Sequence, residues 1–154
     1  MRLGRKGELL RTIISRLFDE HTEIYRTSIN THRCIGTDLG VENEQLANGA
    51  GYDHNWVLDR QTPDQLELAA SVLEPASGRY MEVWTDQPAL QFYGGNFFDG
   101  TTQGKYGKAL RYRESFALET QKYPDTPNHS NFPSTLLNPG ETYTHSCVYR
   151  FSVK

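Results

Sequence analysis

The chain has 154 residues and a formal charge of −3, with nine tyrosines, seven phenylalanines, two tryptophans, 13 glycines and seven prolines. This length is enough for one domain with a buried core, and the weak negative charge gives no general attraction to nucleic acid or to anionic membranes. Aromatic residues favour strands, whereas glycine and proline favour turns, so the composition predicts an all-β domain.

The first 21 residues differ in pattern from the rest of the chain. Apolar residues recur at helical spacing over residues 10–18, and basic residues surround them. We therefore predict a leader of residues 1–21 that contains an N-terminal amphipathic helix, followed by a domain of residues 22–154. Because Glu8 interrupts the basic pattern and serine is scarce, a helix docked on the domain is favoured over an organelle-targeting peptide.

The cysteines and the apolar runs bear on the cellular setting. Cys34 and Cys147 are far apart in the sequence, which predicts no disulfide framework. No apolar run is long enough to cross a bilayer, and residues 1–20 lack the features of a secretory signal. The sequence therefore predicts a cytoplasmic protein that does not bind membranes.

Strand patterns alternate with turns after the leader. The predicted elements are a helical turn within residues 41–53, strands over 56–58, 66–75, 79–87, 89–95, 115–121 and 143–153, a polar loop over 100–107, and an irregular segment over 122–141. The sequence ASGR closes the hairpin between the second and third of these strands. The regular spacing of the hairpins predicts an antiparallel β-sandwich.

An acidic residue lies within one of these strands. In SFALETQ, alternation places Phe116 and Leu118 on one face and Glu119 on the other, among small and polar neighbours. Gln91 likewise faces away from its apolar neighbours, and Asp53 lies just before a strand that contains tryptophan.

Carboxylates and amides beside aromatic rings are the groups that bind sugars, because they bond to hydroxyls while a ring covers the C–H face. The aromatic residues available for this are Trp56, Trp84, Phe92 and Tyr93. Taken singly, each polar residue also fits a plainer role as a solvent-facing or turn residue.

The sequence lacks the motifs of several other kinds of catalytic or binding site. The residues His54, His129 and His145 do not have the spacing of zinc ligands, and GGNFFDG lacks the lysine and the helix of a phosphate loop. The sequence also lacks a GxSxG nucleophile elbow. We therefore predict no metal site, no phosphate loop and no serine nucleophile of this type.

Four stretches together are far more specific than any single residue: NEQLANGAGYDHNWVLD, EPASGRYMEVWTDQPALQFYGGNFFDGT, SFALETQKYPDTPNHSNFPSTLLNPGETY and YRFSVK. In order and spacing they resemble the C-terminal portion of the aldose 1-epimerases, the galactose mutarotases. The resemblance implies a galactose mutarotase-like β-sandwich with a sugar cleft on one sheet. It implies that Glu119 is the general base and that Asp53 and Gln91 contact sugar hydroxyls.

The resemblance also implies that no cofactor is needed and that the substrate is a free aldose such as galactose or glucose, because no arginine cluster indicates a phosphate. The family's N-terminal half, with its acid histidine, has no counterpart here, so we expect a truncated sandwich. Its exposed sheet edges would be covered by the leader helix, by a homo-oligomer or by another partner. The alternatives are a catalytically inactive sugar-binding protein of the same fold and, more remotely, an unrelated lectin-like sandwich.

Overall fold

The computed structural model describes residues 9–12, 14–17 and 33–154. One short helix, α1, spans Glu44–Asn48, and 3-10 turns span Lys105–Gly107 and Thr126–Asn128. The strands are β1 (Leu9–Thr12), β2 (Ile14–Leu17), β3 (Arg33–Cys34), β4 (Asp53–Leu58), β5 (Glu67–Glu74), β6 (Arg79–Thr85), β7 (Ala89–Tyr93), β8 (Asp99–Gln103), β9 (Ala109–Arg111), β10 (Ala117–Gln121) and β11 (Cys147–Val153). Within these ranges, no helix has the length and hydrophobicity that a bilayer crossing requires.

The strands form two main sheets, and all of their pairings are antiparallel. The five-stranded sheet has the order β11-β6-β5-β1-β3, and the four-stranded sheet has the order β10-β7-β4-β2. Strands β8 and β9 form a separate hairpin, of which β8 and the turn after it overlap residues 100–107, for which the sequence predicts a polar loop. The predicted all-β antiparallel sandwich is thus confirmed.

The core lies where the two main sheets face each other. Alternation along β4, β7 and β10 directs Trp56, Leu90, Phe92 and Leu118 into it. The other sheet contributes residues from β5 and β6, of which Val83 is 0% exposed. Residues between these inward positions therefore face away from the core, and this arrangement positions the candidate site.

The prediction of a helix in the leader is wrong for residues 9–12 and 14–17, which the structure describes as strands. β1 pairs with both β5 and β3, and β2 pairs with β4. As strands, β1 and β2 supply hydrogen-bond partners for the backbone groups of β5 and β4, which a helix could not do. Residues 9–17 also contain the β-branched residues Thr12, Ile13 and Ile14, which favour strands. The rest of residues 1–21 and the predicted domain boundary at residue 22 lie outside the described residues.

Candidate active site

The three predicted site residues lie on the face of the four-stranded sheet that points away from the core. Glu119 of β10 is the cross-strand partner of Gln91 of β7, and Gln91 is the partner of Asn55 of β4. Side chains directly opposite each other in an antiparallel pair share a face, as do residues two apart on one strand. Asp53 therefore lies on the same face as Gln91 and Glu119.

Asp53 and Gln91 are joined directly. The Nε2 atom of Gln91 donates a hydrogen bond to Oδ1 of Asp53 at 2.9 Å. This bond uses one of the two carboxylate oxygens and one of the two amide hydrogens, so the pair retains the capacity to accept and to donate further bonds. Such a pair matches a sugar hydroxyl, which is both donor and acceptor.

Glu119 is exposed, although its strand neighbours Leu118 and Thr120 are only 6% and 9% exposed. Its side chain lines a cavity of about 550 Å³ at the free edge of β10, together with Ser115, Phe116, Ala117 and residues of β6 and β11. Asp53 and Gln91 do not line this cavity. The structure thus places the three residues on one face, but the cavity beside Glu119 opens along the sheet edge.

A tyrosine of the other sheet reaches this edge. The hydroxyl of Tyr149 donates to the backbone oxygen of Leu118 at 2.6 Å, next to Glu119. Burial raises the pKa of Tyr149 to about 12, and the proximity of Cys147 and Glu119 adds to the rise. Tyr149 therefore stays protonated at neutral pH and holds β10 in place as a hydrogen-bond donor.

The segment that leads into Asp53 is held by residues that the sequence analysis did not single out. Asn96 donates from Nδ2 to the backbone oxygens of Gly49 and Tyr52, at 2.9 and 2.8 Å. Gly51 has φ of +131°, and a Cβ added there would lie 2.5 Å from Oδ1 of Asn96. The motif GGNFFDG carries this asparagine, so its function here is to fix a turn rather than to bind phosphate.

His54 is also a structural residue. Its Nδ1 atom accepts from the backbone N–H of Asp53 at 3.1 Å, and its Nε2 atom lies 3.1 Å from the backbone oxygen of Gln45, to which it donates in the neutral tautomer. Burial lowers the pKa of His54, against smaller opposing effects of Gln45 and Asp53. The imidazole is therefore neutral near pH 7 and fixes the start of β4.

The three described histidines do not lie beside Glu119. His54 faces the core, and His145 lies 2.9 Å from the hydroxyl of Thr120, which points to the opposite face of β10 from Glu119. His129 contacts Asp125 in the segment after β10. Within residues 33–154, no histidine thus lies beside the Glu119 carboxylate. In the described part of the chain, no group of three or more metal-binding side chains occurs.

The four aromatic residues that the sequence offers for sugar contact do not all lie on the face of Glu119. Trp56 and Phe92 are buried in the core, and Trp84 belongs to the five-stranded sheet, where Arg150 stacks on it at 4.6 Å. Tyr93 alone of the four shares the face of Glu119, and its ring stacks on Phe97 at 6.2 Å. Of the four rings, Tyr93 is therefore the one that lies on the same face as Glu119.

Comparisons with known proteins bear on the family of this chain. The family model described as aldose 1-epimerase matches residues 16–150. The galactose mutarotases of Rattus norvegicus and Homo sapiens are each 47% identical over 103 residues, which cover 67% of this chain and 30% of the relative. The aldose 1-epimerase of Escherichia coli is 37% identical over 103 residues, covering 66% of this chain and 29% of the relative.

A solved structure shows the same fold. The GalM/aldose epimerase homologue from C. elegans superposes with a TM-score of 0.75 at 21% identity, over 97% of this chain and 47% of that protein. The chain thus spans less than a third of the curated relatives and about half of this structural neighbour. The match to the family model and the identity to these relatives lead to one conclusion: the chain belongs to the aldose 1-epimerase family.

Proposed function

We propose that this chain acts in aldose 1-epimerisation, the interconversion of the α and β anomers of free hexoses such as galactose and glucose. Glu119 is the general base that removes the proton from the anomeric hydroxyl. Asp53 and Gln91 bind other hydroxyls of the same sugar. The observation that supports this most directly is the hydrogen bond between Gln91 and Asp53 on the face that also carries Glu119.

The reaction needs two proton transfers and no cofactor. When the base takes the proton from O1, the bond between C1 and the ring oxygen breaks, and the ring oxygen takes a proton from an acid. Rotation about the bond between C1 and C2 and closure of the ring then give the other anomer. General base assistance of this kind contributes about 10²–10⁴-fold in rate.

The substrate is an uncharged aldose rather than a sugar phosphate. Asp53 and Glu119 place two carboxylates on the binding face, and these would repel a phosphate dianion. The names of the relatives, galactose mutarotase and aldose 1-epimerase, refer to galactose and to aldoses. A neutral hexose, in contrast, uses the carboxylates as hydrogen-bond acceptors.

The second candidate is a sugar-binding protein that does not turn over its ligand. It is favoured by one observation, that the histidines within residues 33–154 do not lie beside Glu119. In this case Asp53, Gln91 and Glu119 bind a hexose, but the ring oxygen receives no proton.

Polarimetry of freshly dissolved α-D-galactose or α-D-glucose separates the two candidates. An enzyme increases the rate of mutarotation in proportion to its concentration, and Glu119→Gln is expected to lower the increase by about 10²-fold or more. Glu42→Gln, which changes an exposed carboxylate outside the site, is the matched control and should leave the rate unchanged. Saturable galactose binding without acceleration of mutarotation would instead support the binding protein. If the chain neither accelerates mutarotation nor binds galactose, both candidates are refuted.

A further inference from the structure

Glu119 lies in the middle of an end strand. It is the third of the five residues of β10, and β7 is the single strand neighbour of β10 among the strands described. The ladder with β7 fixes the backbone on one side and sets Glu119 opposite Gln91. A catalytic group is held precisely only when the element that carries it is itself fixed by its surroundings. The other side of β10 therefore needs support of its own if the Glu119 carboxylate is to keep one position.

Two side chains supply this support, one for the residue on each side of Glu119. The Tyr149 hydroxyl donates to the backbone oxygen of Leu118 at 2.6 Å. The Nε2 atom of His145 lies 2.9 Å from the hydroxyl of Thr120. Leu118 directly precedes Glu119, and Thr120 directly follows it. We call Tyr149 and His145 the strand anchors, because both hold β10 from outside the four-stranded sheet.

The strand anchors are themselves held by the five-stranded sheet. Tyr149 belongs to β11, which pairs with β6 over seven residues without a register shift. Ser146, the residue after His145, donates from its backbone N–H to Oδ2 of Asp86 at 2.8 Å. The backbone oxygen of Ser146 accepts from the Thr85 hydroxyl at 3.0 Å. The anchors therefore connect β10 to a part of the fold whose backbone is fixed by its own hydrogen bonds.

Burial strengthens both contacts. Leu118 and Thr120 are buried, and hydrogen bonds that are removed from water are costly to lose. Burial also raises the pKa of Tyr149 to about 12, so its hydroxyl remains a hydrogen-bond donor at neutral pH. Both contacts therefore persist under the conditions in which a carboxylate base works.

We propose that Tyr149 and His145 are positioning residues for Glu119, which fix its carboxylate by anchoring β10 immediately before and after it. This inference rests on the proposed function, in which Glu119 removes the proton from the anomeric hydroxyl. A general base must lie within about 2.6–3.2 Å of the atom that carries this proton, and a displacement of about 1 Å can lower the rate about 10²-fold. Asp53 and Gln91 lie on β4 and β7 instead, so loss of an anchor should lower turnover and leave sugar binding nearly unchanged.

Saturation kinetics measured by polarimetry test the Tyr149 anchor. Tyr149→Phe removes only the hydroxyl, and it should lower kcat for galactose about tenfold while KM changes less than about twofold. Tyr143→Phe is the matched control, because the Tyr143 hydroxyl also donates one bond, but to Oε1 of Gln87 at 3.2 Å rather than to β10. That control should leave kcat unchanged. Similar kcat values for the two variants, or a rise in KM alone for Tyr149→Phe, would overturn the proposal.

Rescue by a conservative variant tests the His145 anchor. His145→Ala removes the contact with Thr120 and should lower kcat about tenfold. His145→Gln keeps a polar nitrogen at a similar distance from the backbone, so it should recover most of this loss. Equal kcat values in the two variants would contradict the role of His145 as an anchor.

Backbone ¹⁵N relaxation separates failure of the anchors from failure of the proposed function. The order parameter of the Glu119 amide should fall in Tyr149→Phe and keep its wild-type value in Tyr143→Phe, whether or not the chain accelerates mutarotation. An inactive wild-type protein that shows this difference would refute the epimerase function while supporting the anchoring of β10. An unchanged order parameter in Tyr149→Phe would overturn the anchoring even if the wild-type protein is active.

Discussion

Asn96 offers a sharp test of how the candidate site is held. Its side chain is 6% exposed, and its amide donates to the backbone oxygens of Gly49 and Tyr52 just before Asp53. In Asn96→Ala both bonds are lost and no new donor replaces them. The perturbation therefore acts on the turn that leads into β4, without removing a residue of the candidate site.

The magnitude follows from the two lost bonds. A typical intramolecular hydrogen bond contributes about 0.5–1.5 kcal/mol net, and a buried group left unsatisfied costs about 1–3 kcal/mol. For two acceptors, we expect Asn96→Ala to lower the free energy of unfolding by about 2–4 kcal/mol. In a chain of this size, that corresponds to a fall in Tm of about 4–16 °C.

Urea unfolding followed by circular dichroism, with differential scanning calorimetry, measures both quantities. Asn128→Ala is the matched control, because Asn128 is exposed and its amide bonds to Asp125 on the surface. We expect that control to change the free energy of unfolding by no more than about 0.5 kcal/mol. Equal losses in Asn96→Ala and Asn128→Ala would refute the assignment of Asn96 as the residue that fixes this turn.

Three further predictions use the same unfolding assay. Gly51→Ala should lower the free energy of unfolding by about 1–3 kcal/mol, because φ is +131° and the new Cβ would meet Asn96. Gly40→Ala has open space around the new Cβ and should be nearly neutral. Equal effects of the two substitutions would contradict this prediction. Stability should fall as pH drops through about 6.5, because His54 takes up a proton in the unfolded chain at a higher pH than in the folded chain, where burial lowers its pKa. The slope of stability against pH should be smaller in His54→Gln. An unchanged slope would argue against His54 as its source. Leu90→Ala should lower the free energy of unfolding by about 2–5 kcal/mol, because Leu90 is 0% exposed. Leu136→Ala should lower it far less, because the Leu136 side chain is 75% exposed. A similar loss in both variants would be inconsistent with the core described.

The sequence by itself determined the strands of the candidate site. In SFALETQ the large apolar residues Phe116 and Leu118 lie two apart with Glu119 in the other phase, and in ALQFY Leu90 and Phe92 lie on either side of Gln91. β10 and β7 follow that alternation in the structure. The turn after Glu74 was also predictable, since Pro75 cannot continue a strand interior and Gly78 adopts φ of +69°. These features depend on neighbouring residues only, so a local pattern contains them.

The tertiary structure alone decided which sheet each strand joins. The segment with a helical pattern forms β1 and β2 because β5 and β4 offer backbone partners more than 40 residues away along the chain, as the pairings of Leu9 with Leu73 and of Ile14 with Leu58 show. A register shift between Leu68 and Ala70 likewise breaks the alternation expected for β5, so both Ala69 and Ala70 are buried.

The same reason explains the aromatic residues and the open edge. Trp84 and Tyr93 have similar local sequence patterns, but Trp84 lies in the five-stranded sheet and Tyr93 lies on the face of Glu119. Phe151 has the alternation of a core residue, yet it is 75% exposed because no described strand lies over it. Side-chain alternation is set by the local backbone, whereas burial and proximity depend on hydrogen-bonded ladders between residues that are distant in sequence.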